Sequence, residues 1–73
     1  MSHAHAKALE LIEREIKRMP NSHFPRPDES YATGMIEMAY ACDLIADDQY
    51  RAFSAQIHEL ADQRWQEIRG VAA

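Results

Sequence analysis

The segment SYATGMIEMAYACDLIADDQY, residues 30–50, joins an almost uncharged helical pattern to a short acidic turn. Between Tyr31 and Ile45 the only charged residues are Glu37 and Asp43. The apolar residues recur at helical spacing and form one stripe with further apolar residues beside it. The stripe is Tyr31, Met35, Met38, Cys42 and Ile45, and beside it lie Ala32, Ile36 and Ala39. Because a helix that is apolar nearly all round is buried on more than one side, this segment predicts a central helix.

The limits of this second helix are predicted from its flanking residues. Pro27 suits the first turn, and Asp28 and Glu29 favour the positive end of the helix dipole. We expect the helix to span residues 27–45. Gly34 lies inside it, where glycine costs about 1 kcal/mol against alanine, and we expect it to permit a close helix crossing.

A third helix is predicted over residues 48–69, with Asp47 as its N-cap and Gly70 as its stop. The short link makes the last two helices an antiparallel hairpin. The third helix spans about 33 Å, longer than its neighbours, so we expect its end at residues 65–68 to project beyond the core of one subunit. Its inner stripe is Phe53, Ile57, Leu60, Ala61, Trp65 and Ile68.

The first helix is predicted over residues 3–19, because apolar residues recur at spacings of three and four and Pro20 then ends the pattern. Residues 20–27 form a proline-rich connector for which an extended path is expected. Phe24 within it is expected to fold back and close one end of the core, the alternative being an exposed anchor for a partner.

The chain length limits the size of the core. With 73 residues the chain makes one domain, over residues 1–73, and domains this short often need a metal, disulfides or a second subunit. The sequence therefore predicts an all-α protein of three helices that is completed by dimerisation. The second helices, or the projecting ends of the third, meet their copies in a symmetric dimer.

The distribution of charge bears on partners and location. The formal net charge is −4, and residues 27–50 hold six acids and no Lys or Arg. This segment repels phosphate, so direct nucleic-acid binding is not expected, and a host protein with a basic or apolar surface is the better match. No segment has the length or hydropathy of a membrane span, and no secretory signal is visible. The lone Cys42 is interpreted as a small buried hydrophobe in a cytoplasmic protein.

Residues with catalytic or metal-binding chemistry are few. His3 and His5 are two apart, and His58 and Asp62 are four apart, but no spacing completes a zinc site. Glu37 is expected to be solvated beside Thr33 and Tyr40, the alternative being a buried carboxyl group of raised pKa. The sequence predicts no catalytic residue, no metal and no cofactor, and therefore no enzyme.

Because no catalytic or metal site is predicted, the protein surface is expected to carry the function by binding a partner. Methionine and tyrosine make an adaptable apolar face edged with acid, typical of interaction sites, although these residues also suit a core or a dimer seam. If these residues are buried in a dimer interface, the acidic corner at residues 43–48 or the Trp65 end is the expected partner surface. The candidate partner-binding residues are Tyr31, Met35, Met38, Tyr40, Asp43, Asp47, Asp48 and Trp65.

The 30–50 segment resembles a pattern in small proteins encoded by phages, prophages and plasmids. In these a Tyr-x-x-Gly-x-Ile helix leads through a Leu-Ile-x-Asp turn into a long amphipathic helix. Such proteins are commonly accessory factors that bind host proteins, including anti-CRISPRs and antagonists of host regulators. The resemblance implies an inhibitor or modulator of a host protein, and it assigns no functional residue.

Residues 46–55 are similar in outline to the third helix of small enterobacterial nucleoid modulators of the Hha type. This similarity implies the alternative function, a transcriptional or nucleoid regulator acting on DNA directly or through a DNA-binding partner. A helix-turn-helix is not expected, because the would-be recognition helix begins with Asp47 and Asp48, which repel phosphate.

Overall fold

The computed structural model describes residues 2–70, which form three α-helices and no strand. Helix α1 spans His3–Arg18, α2 spans Pro25–Ala41 and α3 spans Asp47–Gly70, with a 3₁₀ turn at Met19–Asn21 between the first two. Helix α2 packs most extensively on α3. The prediction of an all-α chain whose last two helices form a hairpin is confirmed.

The start of α1 is fixed by a side-chain cap. The hydroxyl of Ser2 accepts a hydrogen bond from the backbone amide of His5 at 3.1 Å, which satisfies one of the free donors of the first turn. The helix ends at Arg18, one residue before the predicted end, and Pro20 lies in the 3₁₀ turn that follows. Lys17 and Arg18 in the last turn complement the negative end of the helix dipole.

Helix α2 begins two residues earlier than predicted. Pro25 and Pro27 both lie in its first turn, where no backbone amide donor is required. The first-turn position of Pro27 is as predicted, but the extended path expected for Pro25 and Arg26 is wrong. Ser22 organises the chain before this turn. Its hydroxyl accepts from the amide of Phe24 at 3.0 Å and donates to the carboxylate of Asp28 at 2.5 Å.

Helix α2 ends at Ala41, four residues before the predicted end. The amide of Leu44 donates to the carbonyl of Ala39 at 2.8 Å, and the amide of Asp43 donates to the carbonyl of Tyr40 at 3.1 Å. This is the Schellman pattern, which requires a left-handed residue after the cap, and Asp43 takes that position with φ 58°.

The N-terminus of α3 also differs from the prediction. Asp47 is the first helical residue rather than the N-cap, and the chain enters the helix at Ala46. The backbone amide of Ala46 donates to the side-chain oxygen of Gln49 at 2.8 Å, as in one half of a capping box.

The core lies on a different side of α2 from the predicted stripe. The buried apolar residues are Ala8, Ile12, Met19, Ala32, Ile36, Ala39, Ile45, Ile57 and Ala61. Helix α2 therefore packs through its small residues and Ile36. Cys42 is exposed because α2 ends just before it, so its interpretation as a buried hydrophobe is wrong.

Phe24 does not close the core as expected, since it is 70% exposed. Met19 and Pro25, at the connection between α1 and α2, are buried instead. The 3₁₀ turn contains Met19 and the early start of α2 contains Pro25, so these two residues are buried while Phe24, between them in sequence, is not.

The described chain is elongated, with extents of 46 × 17 × 15 Å. Its radius of gyration is 13.1 Å, whereas a compact chain of this length has about 11 Å. The carbonyl of Leu44 contacts the ring of His5 at one end of α1, and Arg64 donates to the carbonyl of Ser22 at 2.7 Å at the other end. Helix α3 continues past this contact, and Ile68 there is 43% exposed.

Candidate protein-binding surface

One strip of exposed residues along α2 carries no charge. We call the exposed residues Tyr31, Gly34, Met38 and Ala41 the α2 face. Their spacings of three, four and three residues place them on one side of the helix. Tyr31 is 60% exposed and Met38 is 64% exposed. The half-buried Met35 and the exposed Cys42 lie at its edge.

The sequence of α2 explains why large apolar side chains remain outside. Its inner side is formed by Ala32, Ile36 and Ala39, which let the neighbouring helices approach closely. The opposite side of a surface helix normally holds charged residues, but the four residues of the α2 face are all uncharged, and the exposed Glu37 lies at their border, three residues from Gly34 and four from Ala41. Large exposed apolar patches are a feature of interaction sites in folded proteins, so the α2 face is the candidate interaction surface of this chain.

A groove between α1 and α2 extends the α2 face. It is an open depression of about 380 Å³ lined by His3, Ala4, Lys7, Ala8, Leu11, Met35, Met38, Ala39 and Leu44. Most of these residues are apolar, and Met35 and Met38 connect the groove to the α2 face. The sequence analysis missed Ala4 and Leu11, although Ala4, Ala8 and Leu11 recur on α1 at helical spacing.

Gly34 does not mediate a helix crossing within the chain, contrary to the expectation. A Cβ atom placed on Gly34 has no neighbouring atom within 4 Å, so no helix of the same chain approaches it closely. Its backbone φ is not positive, and the local conformation does not require glycine either. Gly34 is therefore a small residue on an exposed face, flanked by Tyr31 and Met38.

Tyr40 lies apart from the other predicted apolar residues, at the turn before α3. Its ring stacks on Tyr50 with centroids 4.5 Å apart and an interplanar angle of 19°. Its hydroxyl donates to the carboxylate of Asp47 at 3.0 Å, and this hydrogen bond raises the pKa of Tyr40. Arg51 pairs with the same carboxylate at 3.0 Å.

Three predicted acidic residues cluster at this end of the molecule. We call the exposed residues Asp43, Asp47 and Asp48 the acidic end. Asp47 is partly neutralised by its ion pair with Arg51, whereas Asp43 and Asp48 take part in no ion pair with another described residue. The acidic end therefore offers negative charge beside the α2 face rather than within it.

Trp65 lies near the opposite end of α3, eighteen residues or about 27 Å from Asp47. The half-buried ring is flanked by the guanidinium groups of Arg26 at 5.8 Å and Arg69 at 5.9 Å. Arg26 also pairs with Glu29 at 3.0 Å and Asp62 at 3.1 Å, and both contacts raise the pKa of Arg26. The predicted site residues thus fall into three separate places.

Two of the histidines considered as metal ligands, His5 and His58, have structural contacts. His5 contacts the Leu44 carbonyl, and the ring of His58 contacts Glu29 at 2.7 Å. Within residues 2–70 no three His, Cys, Asp or Glu side chains are grouped so that they could hold a metal ion. Glu37 is exposed, in agreement with its expected solvated position.

Basic residues gather near the end of α1, around a depression of about 520 Å³ that also includes His23. Arg14 pairs with Glu10 at 3.3 Å, and Arg18 pairs with Glu15 at 3.0 Å. These acidic partners reduce the positive charge that this surface offers to phosphate.

Comparisons with known proteins add no relative. None of the protein-family models, curated proteins or solved structures compared with the chain matches it. In the part of the chain that the structure describes, no helix combines the length and apolar character that crossing a membrane requires.

Proposed function

We propose that this protein is a non-enzymatic, cytoplasmic protein–protein interaction module whose principal contact surface is the α2 face. The observation that carries the proposal is the exposure of Tyr31 and Met38, at 60% and 64%, on a helix face whose own residues carry no charge and whose border holds Glu37. Interface cores are depleted of charged residues and enriched in tyrosine and methionine. Burying these side chains against a partner removes apolar surface from water, which is the main driving force of association.

The proposed role is that of a small accessory protein, of the type encoded by phages and mobile elements, that binds a host protein and inhibits or modulates it. The resemblance of residues 30–50 to such proteins supports this role. The α2 face suits an apolar partner surface. The acidic end, next to it, adds attraction for basic residues around that surface and steers the encounter.

A capture experiment with matched variants tests the proposal. The wild-type protein, Met38→Glu and Ala55→Glu are immobilised and exposed to lysate of the host cell, and bound proteins are identified by mass spectrometry. Both substitutions add one negative charge at an exposed helical position, but Ala55 lies on α3, away from the α2 face. We expect Met38→Glu to lose the captured protein and Ala55→Glu to retain it.

Equal capture by all three proteins would contradict a contact through the α2 face. The regulator alternative has a separate outcome. If the protein binds DNA directly, the affinity falls steeply with added salt, because bound phosphates release counterions.

A further inference from the structure

We infer that the α2 face binds a second copy of the same chain, with the two α2 helices antiparallel. The inference rests on the proposed function, because it names one partner of the same face. The sizes of the side chains on the face support it. Two large residues, Tyr31 and Met38, are seven apart, and two small residues, Gly34 and Ala41, are also seven apart, offset from the first pair by three.

An antiparallel arrangement makes this pattern complementary to itself. When the two-fold axis passes at the level of residue 36, Tyr31 faces Ala41 of the other copy and Met38 faces Gly34 of the other copy. Each large side chain then meets a small residue, so the two helix surfaces interdigitate. The open space around Gly34 becomes the place that the other Met38 fills.

A parallel arrangement fits the same residues poorly. Each residue then faces its own copy, so Tyr31 meets Tyr31 and Gly34 meets Gly34. The large pairs at residues 31 and 38 hold the two helices apart, and the small pairs at residues 34 and 41 then leave voids between them. Such voids lose packing energy. The size pattern therefore favours the antiparallel pair.

The available area fits a weak dimer. An aromatic side chain that becomes fully buried removes about 150–250 Å² of surface from water. Tyr31 and Met38 each expose more than half of their surface in the single chain. Covering the α2 face and its edge in two copies removes on the order of 1,000 Å² from water, which is near the lower bound for a specific interface. No charged group of the α2 face becomes buried, so copies that each carry a formal charge of −4 associate without desolvating a charge.

The first test is sedimentation equilibrium of the wild type, Gly34→Gln and Ala55→Gln from micromolar to millimolar concentration. Glutamine at residue 34 has free space in the single chain and favours the helix over glycine, so folding is retained. We expect a concentration-dependent dimer that Gly34→Gln weakens at least tenfold and Ala55→Gln leaves unchanged. A wild type that stays monomeric, or a dimer insensitive to Gly34→Gln, would overturn the inference.

The second test measures orientation with a nitroxide label on Ser30→Cys in a Cys42→Ser background, by continuous-wave and pulsed electron paramagnetic resonance. Ser30 is exposed and belongs neither to the α2 face nor to its edge. In the antiparallel pair the two copies of residue 30 are twelve residues apart along the helices, about 18 Å, so their Cα atoms are about 20 Å apart. In a parallel pair they are about 10 Å apart, one interhelical distance. A distance near 20 Å supports the antiparallel pair, and one near 10 Å overturns it.

The two proposals fail differently. If the wild type is monomeric but Met38→Glu loses the captured host protein, self-association is wrong and the protein-binding function stands. If the wild type is monomeric and capture is the same for all variants, both proposals are wrong.

Discussion

Asp43 adopts a left-handed backbone conformation that suits glycine better than any residue with a Cβ atom. Its φ is 58°, and this conformation lets Leu44 donate to the Ala39 carbonyl at the end of α2. Aspartate tolerates the left-handed region better than most residues, which explains why the turn forms here without glycine.

We predict that Asp43→Gly raises the free energy of unfolding by about 0.5–1 kcal/mol, because it removes the backbone strain. Asp43→Val lowers it by about 1–2 kcal/mol, since a β-branched side chain is least compatible with this φ. Urea unfolding followed by circular dichroism measures both changes. The prediction is wrong if the glycine variant is the less stable of the two.

The hydrogen bond from Tyr40 to Asp47 predicts a pH dependence at alkaline pH. The bond favours the protonated phenol, so the pKa of Tyr40 in the folded chain lies above its ordinary value of 10.0. The stability that this bond contributes is therefore fully present below the pKa of an unfolded tyrosine, about 10, and is lost as pH rises through the raised pKa.

We expect Asp47→Asn to lower the pKa of Tyr40 toward its ordinary value, because the negative acceptor is replaced by a neutral one. Ultraviolet titration of tyrosinate, with Tyr40→Phe used to assign the transition, measures this shift. Asp48→Asn is the matched control, since Asp48 makes no hydrogen bond to Tyr40. A titration of Tyr40 that is the same with Asp47 and with Asn at this position would exclude the hydrogen bond as its cause.

At the level of elements, the start of α2 depends on Ser22. This buried hydroxyl links the amide of Phe24 to the carboxylate of Asp28, and Arg64 donates a hydrogen bond to the backbone carbonyl of Ser22. One residue thereby joins the connector, the first turn of α2 and α3.

Ser22→Ala is predicted to lower the free energy of unfolding by about 1–2 kcal/mol, because it leaves the Phe24 amide and the Asp28 carboxylate without this partner. Thermal and urea unfolding measure the loss. Ser30→Ala, at an exposed position of α2, is expected to change stability by less than about 0.5 kcal/mol. Similar losses in the two variants would show that the Ser22 contacts contribute little.

The sequence predicts which elements form better than where α2 begins and ends. Periodicity gave three helices, and Pro20 marked the end of the first to within one residue. Pro25 was expected in an extended connector, whereas Pro27 was correctly expected in the first turn of the helix. Proline is compatible with both geometries, and the contacts of Ser22 with Phe24 and Asp28 lie at the turn that forms. The end of α2 was missed because it rests on a left-handed aspartate rather than on glycine or proline.

The candidate surface was predicted only in part, because helix packing decides which apolar side of α2 is buried. Two adjacent sides of α2 are apolar in sequence, and periodicity alone does not tell which one is buried. The structure buries the side with Ala32 and Ala39, which permits close packing, and exposes the side with Tyr31 and Met38. Tyr40 stacks on Tyr50 apart from Tyr31 and Met38, and this contact could not be predicted because it depends on the turn between α2 and α3.

At the scale of the whole molecule, the elongated shape separates three surfaces. The α2 face lies along the middle of the chain, whereas the acidic end and Trp65 lie near opposite ends of α3. In the inferred antiparallel dimer the two acidic ends point away from each other. A dimer therefore presents each terminal surface twice, and it must dissociate before the α2 face can bind a host protein, so the two partners compete for the same face.

The charge distribution predicts opposite salt responses for these surfaces. Two copies with a formal charge of −4 repel each other, and the two Glu37 side chains lie on the same rim of the antiparallel pair. Added salt screens this repulsion, since the Debye length is about 10 Å at 0.1 M, so raising NaCl from about 50 mM to about 500 mM tightens the dimer a few-fold. Attraction of the acidic end for a basic partner weakens under the same change.

Sedimentation equilibrium at the two salt concentrations measures the effect on the dimer, and Glu37→Gln should tighten the dimer at low salt and reduce its salt dependence. A dimer that dissociates as salt rises would show that charged contacts, rather than the α2 face, hold the two copies together.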